Sequence, residues 1–340
     1  MRTICYFSSS FFENIGNAFI DIGSILSISK CIKDNNYDYR LIQTSMSPCM
    51  LYSFSTQLKI PFKLFWRICG EKLSLTFLET KTHYLKHCNI FNLAEHIRPD
   101  IFIISGCTFT VFFFKIYGNI LNKLKEKNVK LIFYGCGGNT YSDFEIEFVS
   151  KWLDTLQPYA IITRDKIAFK KYRGFAERCF NGIDCGFFVG YLPLKGVHFD
   201  FAPYVVLTFD KFKNKVIEEK LIKDLSNYTV IRATHVPHPD KTIFPFPKKD
   251  YQVTLISENP YDYLLLYANA ERVYSDRIHA CVASLAFGVP CKLYNDSPRI
   301  TIFSKVARIS NENLFLPVKR LHKYQLKQLN YLSQLFSEIE

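Results

Sequence analysis

The sequence predicts an α/β protein built from two Rossmann-like, doubly wound domains. Strand-like runs alternate with helical runs along almost the whole chain, in two successive series, which is typical of parallel sheets. The 340 residues suit two domains of roughly 150 residues each. Hydrophobic residues make up 48% of the chain, enough for two large cores without disulfides.

The first series begins with a strand-like run at residues 3–7 and continues with apolar residues at helical spacing over 16–33. A short strand follows at 40–43. Residues 45–90 are apolar, aromatic and irregular, and we assign helices there. Beyond this region the alternation is regular, with strands at 101–105, 129–134 and 159–163 and helices at 115–128, 143–156 and 165–172.

The second series begins near residue 204. We expect the domain boundary within 186–203, where Gly, Pro and a shift from apolar to polar residues cluster. This gives an N-terminal domain at 1–190, a C-terminal domain at 191–316 and a basic helix at 317–340, for which packing on the first domain is one option. The predicted elements are strands at 205–209, 229–233, 252–256, 272–275 and 291–294, with helices at 215–225 and 261–268.

The composition restricts the class of partner. A net charge of +12 points to negatively charged partners, and no zinc-finger, RRM-type or helix-turn-helix signature accompanies it. We therefore expect no nucleic acid, and an anionic membrane surface or an acidic substrate instead. The 11 cysteines include no C-x-x-C pair, which argues against a zinc site and a disulfide framework.

Localisation is predicted from two apolar segments. The longest apolar run without a charge, 101–114, is too short to span a bilayer. The N-terminus has the character of a first strand rather than of a signal peptide. We expect a cytoplasmic protein, either soluble or bound peripherally to the inner face of a membrane.

Residues 275–294, SDRIHACVASLAFGVPCKLY, carry the clearest functional signal. They read as a strand end, the N-cap Asp276, a helix ended by Gly-Val-Pro, and another strand. Arg277 and His279 then lie in the first helical turn at the carboxyl end of a strand, where open α/β sheets bind ligands. The Arg offers a fork for carboxylate or phosphate, and the His can give up a proton near neutral pH. The segment predicts a site that binds and protonates a small acid; a solvated Arg and His are the alternative.

Other strand ends carry further candidates. Arg164 stands between a strand and a helix, beside Asp165 as the expected N-cap. Asn14-Ile-Gly-Asn17 follows the first strand, and its glycine lets a ligand approach the backbone. Two glycine-bearing strand ends, neither of them a GxGxxG or P-loop motif, are predicted as loops and contribute Gly106, Gly137 and Asn139. Plain turns are the alternative for both.

The segment His235-Val-Pro-His238-Pro-Asp240 has a spacing that could bring three metal ligands together. Two prolines stiffen it, however, and no further ligand cluster lies nearby in the sequence. We therefore expect no metal site and a loop that places His235 or His238 near a substrate.

The Ser-Asp-Arg-Ile-His-Ala run, followed by Gly-Val-Pro, resembles the C-terminal signature of the polysaccharide pyruvyl transferase family. The resemblance covers most of the chain, from residue 14 to residue 294, and includes the Ile-Thr-Arg-Asp run that ends at Asp165. The run that ends at Asp184 resembles the family's short strand before the crossing between domains. Two positions depart from the family pattern: Ala168 replaces a Ser, and Asn17 replaces an Asp.

The resemblance implies a glycosyltransferase-B-like arrangement with the site in the cleft between domains. It implies transfer of a pyruvyl group from phosphoenolpyruvate to two hydroxyls of a sugar, in a surface polysaccharide or its precursor, as a cyclic ketal. His279 would protonate the donor, Arg164 and Arg277, with Ile278, would bind its anionic groups, and no cofactor would be required. The acceptor would be a lipid-linked or free sugar. Seven residues of the other strand ends and loops are candidates for lining either the acceptor site or the cleft: Asn14, Asn17, Gly106, Gly137, Asn139, His235 and His238.

Two other functions remain open from the sequence. One is a glycosyltransferase of the same architecture that binds a nucleotide-sugar diphosphate at the same helix N-terminus. The other is a non-catalytic basic protein that binds anionic glycan or lipid through its charge. Products separate the three: ketal formation releases phosphate, glycosyl transfer releases a nucleotide, and a binding protein releases neither.

Overall fold

The structure is a computed structural model that describes residues 1–8, 14–46, 92–210, 214–235, 253–310, 312–317 and 320–339. The helices predicted for 45–90 fall almost wholly outside these residues. The chain forms two compact units, Met1–Ser9 with Asn35–Asn181, and Ser10–Asp34 with Gly182–Glu340. The predicted domains were continuous in sequence, whereas in the structure a segment from the N-terminal region belongs to the second unit.

The first unit contains a parallel sheet of six strands in the order β2-β1-β3-β4-β5-β6. Its central strands are buried on both faces, which explains why their sequences are continuous apolar runs. The strands are β1 (Arg2–Ser8), β2 (Tyr39–Ser45), β3 (Ile101–Phe109), β4 (Lys130–Gly138), β5 (Ala160–Thr163) and β6 (Arg178–Asn181). The helices after β3, β4 and β5 are α2 (Val111–Glu126), α3 (Asp143–Leu156) and α4 (Lys166–Tyr172).

The sequence analysis predicted loops at the two glycine-bearing strand ends, and this prediction is wrong. Strands β3 and β4 continue through them, and the register between the two strands shifts at Gly106 and near Gly135. Both glycines have positive φ, at 92° and 64°. This backbone conformation is accessible to glycine and rare for other residues, so each strand forms an irregularity rather than ending.

The second unit contains a sheet of seven strands in the order β12-β13-β11-β10-β7-β8-β9. The five strands from β11 to β9 are parallel, and β13 and β12 form an antiparallel edge that the sequence analysis missed. The parallel strands are β7 (Tyr204–Thr208), β8 (Thr229–Ala233), β9 (Val253–Leu255), β10 (Arg272–Ser275) and β11 (Cys291–Leu293). The edge strands are β12 (Ala307–Ile309) and β13 (Phe315–Pro317), and the intervening helices are α5 (Lys215–Asp224), α6 (Pro260–Ala268) and α7 (Ile278–Ala286).

Two long helices complete the second unit, α1 (Ile15–Asp34) and α8 (Arg320–Ile339). Helix α8 packs against α1 and holds a neighbouring segment through two buried glutamines: Gln328 accepts from the Ile183 amide, and Gln325 donates to the Phe187 carbonyl. The residues that α8 contacts fall within the predicted domain 1–190. In the structure they belong to the same unit as α8 itself.

Helix α1 is long and apolar enough to cross a membrane by length and composition, among the residues that the structure describes. Most of its apolar window is buried inside the second unit, and the helix therefore serves as a core helix there. Its packing also requires small side chains, because a β-carbon at Gly23 would lie 1.9 Å from the carbonyl oxygen of Cys185.

The aromatic residues, 16% of the chain, contribute heavily to the cores. In the first unit, Phe114 stacks on Trp152, and the same indole ring covers Gly118. Residues with less than 2% exposure include Tyr6, Phe7, Phe19, Phe102, Phe109, Tyr117, Tyr134, Tyr172, Tyr204, Tyr263 and Tyr267. For these rings, burial in an α/β core explains the composition, rather than contact with sugars or lipid.

We predict that Gly23→Ala destabilises the protein by about 1–3 kcal/mol, because the new methyl group meets backbone that cannot rotate away. In an open helix the same substitution would stabilise by up to about 1 kcal/mol. Gly174→Ala is the control, since nothing lies within 4 Å of the β-carbon that it would add. Equilibrium denaturation of both variants tests the prediction, and equal stabilities would contradict it.

Candidate active site

The segment from β10 to α7 forms the turn that the sequence predicts, with a different cap. Ser275 Oγ accepts a 2.8 Å hydrogen bond from the Arg277 amide and donates to the Thr208 carbonyl, which fixes the turn. The prediction that Asp276 is the N-cap of α7 is wrong. Arg277 occupies that position, and its side chain makes no capping hydrogen bond. The Asp276 carboxylate is fully buried and instead accepts from the Asp210 amide and from Asn214 Nδ2.

Arg277 forms an ion pair with Asp210, the second residue after β7. Its Nε donates to Asp210 Oδ2 at 2.7 Å, and the Arg277 side chain is 25% exposed. Burial raises the pKa of the Asp210 carboxyl above its ordinary value, and the Arg277 charge partly opposes this rise. Among the described residues the guanidinium is held through Nε, and its two terminal amino groups have the geometry to form a fork with an anion.

His279 lies in the first turn of α7 and is almost completely buried. Its Nε2 is 3.6 Å from Oδ2 of Asp184, a fully buried carboxylate. Gly16, in the first turn of α1, packs on the other side: a β-carbon there would lie 3.1 Å from His279 Cβ and 3.3 Å from Nδ1. The histidine therefore lies between an acid on one side and a helix N-terminus on the other.

Two other predicted site residues lie at the start of α1: Asn14, directly before the helix, and Asn17, in its first turn; both are half-buried. The Asn14 carbonyl accepts from the Asn17 amide, and Asn14 Oδ1 lies 3.3 Å from a β-carbon built on Gly16. The Asn14 motif and the His279 motif, which lie far apart in sequence, thus meet in one compact unit. Ile278, which precedes the histidine, is buried.

His235 is fully buried rather than lining an open surface. Its Nε2 is 2.6 Å from the Tyr267 hydroxyl, which also bonds Thr208, and its backbone amide donates to Asp210. Burial, reinforced by the charges of Arg277 and His279, lowers the pKa of His235 well below its usual value. His235 is therefore a neutral, structural part of this region, whereas His238 lies outside the described residues.

Arg164 belongs to the first unit and is 1% exposed there. One terminal amino group donates to the Gly138 carbonyl at 3.2 Å, and its Nε lies 2.6 Å from a β-carbon built on Gly137. Asp165 caps α4 as predicted, accepting from the Ala168 amide at 2.8 Å. The role of Arg164 as an anion contact stays a prediction.

The remaining candidates of the first unit lie at the carboxyl edge of its sheet. Gly106 is paired with Cys136, and Gly137 packs against the Arg164 side chain. Asn139 is exposed, but its backbone amide is already bound by the Glu145 carboxylate, which also accepts from the two following amides. The backbone of this turn thus binds an internal carboxylate.

The sequence profile of the polysaccharide pyruvyl transferase family matches residues 14–293, most of the chain. The chain belongs to the polysaccharide pyruvyl transferase family. It is therefore a transferase, and the resemblance seen in the sequence is confirmed. The match includes Asn14, His235, Arg277 and His279, which the fold gathers in its second unit.

Solved structures similar to this pyruvyl transferase family member show its fold. S. aureus MnaA, in a co-structure with UDP, has a TM-score of 0.54 and 12% identity, covering 100% of this chain and 90% of that one. The Methanocaldococcus jannaschii UDP-GlcNAc 2-epimerase, in complex with UDP-GlcNAc and UDP, has a TM-score of 0.52 and 14% identity, covering 99% and 92%. The Neisseria meningitidis enzyme bound to UDP-GlcNAc has a TM-score of 0.52 and 12% identity, covering 100% and 93%.

These similarities confirm the predicted fold class, α/β with two Rossmann-like units of the glycosyltransferase-B-like type. No curated protein matches the chain in sequence. At such low identity the solved structures establish the fold and nothing about the substrate.

The sequence analysis missed the acidic partners of Arg277 and His279 in this family member, namely Asp210 and Asp184. Asp210 directly follows the strand predicted at 205–209, so its place at a carboxyl strand end was visible in the sequence. Asp184 was noticed as part of a motif, but nothing in the sequence pairs it with His279. The signal for that pairing is tertiary, because α1, α7 and the segment Cys185–Tyr191 must first pack together.

Neutral His235 should make the protein sensitive to acid. Its pKa in the folded protein lies below the value of about 6.5 that an unfolded chain has. The unfolded state therefore binds the extra proton, and stability falls as pH drops below about 6.5, by up to about 1.4 kcal/mol per pH unit.

We predict that His235→Gln loses less stability between pH 7 and pH 5.5 than the wild type does, by about 1 kcal/mol. The control is His198→Gln at an exposed position, which should keep the acid sensitivity of the wild type. Urea denaturation at both pH values provides the measurement. If His235→Gln and wild type lost the same stability, neutral burial of His235 would be wrong.

Proposed function

We propose that this chain transfers a pyruvyl group from phosphoenolpyruvate to two hydroxyls of one sugar, giving a cyclic ketal and inorganic phosphate. The observation that supports this most is the first turn of α7. There an arginine and a buried histidine lie two residues apart, each beside a carboxylate from another element. Family membership supplies the reaction class, and these side chains supply an anion contact and a proton donor.

The donor must be protonated at its methylene carbon before a hydroxyl can add to the neighbouring carbon. In the proposed scheme His279, as the imidazolium, gives that proton, and the developing cation at C2 accepts one sugar hydroxyl. The proton of that hydroxyl returns to the imidazole. Phosphate then leaves with the electrons of its C–O bond, and the second hydroxyl adds and passes its proton to that phosphate, which is released as hydrogen phosphate. One donor and one diol give one ketal and one phosphate.

Arg277 is the proposed contact for the carboxylate or phosphate of the donor. Asp210 engages Nε of the guanidinium, so the two terminal amino groups can form two parallel hydrogen bonds to one anionic group. Lys would supply the charge without the fork. The scheme uses no metal and no nucleotide cofactor.

The acceptor follows from the family as a polysaccharide sugar. We propose that it belongs to a surface polysaccharide or its precursor, which is lipid-linked if the enzyme works at a membrane. The net charge of +12 supports cytoplasmic placement with peripheral contact to the inner membrane face. Exposed basic residues at the start of α8, namely Arg320, Lys323 and Lys327, are the proposed contact.

The decisive assay incubates the enzyme with phosphoenolpyruvate and a panel of nitrophenyl and lipid-linked sugars. The expected result is phosphate release in step with a product whose mass matches a pyruvyl ketal. His279→Gln should lower turnover by about 10²–10⁴-fold, the usual contribution of a general acid. Phosphate release without any acceptor-dependent product would count against the proposal.

A second candidate is transfer from a nucleotide sugar. The similar structures of S. aureus MnaA and the M. jannaschii epimerase were determined with UDP or UDP-GlcNAc, and they share the fold of this chain. The same sugar panel with UDP-GlcNAc in place of phosphoenolpyruvate separates the two functions. Release of UDP with a glycosylated product would favour this second candidate.

For the donor contact, we predict that Arg277→Ala lowers kcat/KM for phosphoenolpyruvate by a factor that corresponds to about 2–5 kcal/mol. Arg277→Lys should recover little of this loss, because a lysine cannot form the fork. Arg272→Ala removes a partly exposed arginine from the other end of β10 and is the matched control. Wild-type kinetics in folded Arg277→Ala would remove this residue from the donor site.

For the membrane, we predict that the protein floats with anionic vesicles at low salt and is released at high salt, because screening weakens surface attraction. Vesicles of neutral lipid should not carry it. Replacing Lys323 and Lys327 by Glu should reduce flotation, whereas replacing exposed Gln334 by Glu, on the same helix, should reduce it less. Absence of flotation at low salt would refute peripheral binding to anionic lipid.

A further inference from the structure

We propose that Asp184 is the positioning residue of His279: it holds the Nε2–H of the imidazole, so that Nδ1 is the nitrogen that gives up and takes back the proton. The proposal deepens the proposed function of this site. It rests on the distance of 3.6 Å between Nε2 and Asp184 Oδ2, with both side chains buried. A carboxylate this close stabilises an imidazolium, and catalytic hydrogen bonds often lengthen in the absence of substrate.

The two oxygens of Asp184 have different partners. Oδ1 accepts a 2.9 Å hydrogen bond from the Gly186 amide and caps the helical segment Cys185–Tyr191, while Oδ2 faces His279. The carboxylate therefore cannot rotate freely without losing its cap. A β-carbon on Gly186 would crowd Asp184 Oδ1 at 3.0 Å, so the small residue there preserves this geometry.

The chain around Asp184 is fixed by groups from distant parts of the second unit. The Gly182 carbonyl accepts from Lys305 Nζ at 2.6 Å, and the Ile183 amide donates to Gln328 Oε1 at 2.7 Å. Gln328 is fully buried on α8, the C-terminal helix. The two residues that precede the acid are thus each held by a side chain from a distant part of the sequence, which is the support that a positioning residue requires.

The opposite nitrogen of His279 faces the first turn of α1. Nδ1 lies 3.3 Å from a β-carbon built on Gly16, so any larger residue there would press on this side of the ring. In the proton step, the Nδ1–H bond breaks and a C–H bond forms at the donor methylene. The imidazole becomes neutral, keeps its Nε2–H on Asp184, and recovers a proton at Nδ1 from the attacking hydroxyl.

Other groups near the imidazole do not replace Asp184. His235, from the end of β8, is held neutral, and Arg277 on the same turn carries a positive charge that opposes a second cation. Arg277 is itself paired with Asp210 rather than with the histidine. Within the part of the chain that the structure describes, Asp184 is the acid that forms an ion pair with His279, and in this proposal it stabilises the charged form of the imidazole.

The first test is NMR of the full chain labelled with ¹³C and ¹⁵N in histidine, with the His279 signals assigned by comparison with His279→Gln. We expect the ¹⁵N shifts of the neutral ring to show the Nε2–H tautomer in the wild type. In Asp184→Asn, which keeps the oxygen that caps Gly186, His279 should titrate at a pH lower by about one or more. Asp200→Asn, at an exposed position, is the control and should leave the titration unchanged.

These measurements need no donor, so they separate this proposal from the proposed function. A neutral Nδ1–H tautomer in the wild type, or an unchanged titration in folded Asp184→Asn, would overturn it; the tautomer alone decides if the variant does not fold. In the pyruvyl transfer assay, Asp184→Asn should lower kcat by roughly 10- to 1,000-fold with little change in KM for phosphoenolpyruvate. A normal tautomer and titration shift with full turnover in His279→Gln would support the pairing and refute the general-acid role.

Discussion

The close approach of α1 and α7 to the segment Cys185–Tyr191 is the constraint on which the candidate site depends. At Gly23 and at Gly190 an added β-carbon would lie 1.9 Å and 2.3 Å from backbone oxygens of the facing segment. A larger side chain at either position would force the backbone segments apart at a cost in stability. They bring Asp184, the α1 N-terminus and His279 into one place, although the three come from distant parts of the sequence.

Buried acids then fix the two basic residues of the α7 turn. Asp210 takes Nε of Arg277, and Asp184 lies beside Nε2 of His279. In each case the acid contacts one nitrogen atom of a basic side chain that contains further nitrogen atoms. The contact fixes the orientation of the basic side chain, and the remaining nitrogen atoms can donate hydrogen bonds to a ligand. Removing one member of such a pair leaves a buried charge without compensation, which is more damaging than never having had the pair.

The sequence predicted the parts of this protein whose signals are local. Hydrophobic periodicity located most strands and helices within a few residues, and helix α3 and strands β8 and β10 at their observed bounds. The placement of α1 in the second unit was not predictable in this way. An amphipathic or apolar pattern shows that a helix is buried, but it does not show which sheet the helix packs against. The short edge strands β12 and β13, three residues each, also lack a periodic signal.

The residues of the candidate site divide in the same way, into those with a local sequence signal and those without one. Arg277 and His279 were visible because a strand end and a helix start lie next to each other in sequence, and the structure places them there. The acidic partners of these two residues were not visible in the same way, because Asp184 and Asp210 come from other elements. The expected cap Asp276 failed for a related reason: its carboxylate finds Asp210 and Asn214 in the folded protein, and these partners compete with the amides of its own helix.

The balance of charge around the α7 turn bears on how a donor would bind. Arg277 and His279 face three buried acids, Asp184, Asp210 and Asp276, so two positive charges face three carboxylates even when the histidine is protonated. Phosphoenolpyruvate brings both a carboxylate and a phosphate, and burying them without matching cations would be unfavourable.

Burial already raises the pKa of Asp210, and an added anion nearby would raise it further, so that proton uptake by this acid would relieve the excess of negative charge. Binding of the donor should therefore be accompanied by net proton uptake and should weaken as pH rises. Calorimetric titration in two buffers of different ionisation enthalpy measures that uptake directly.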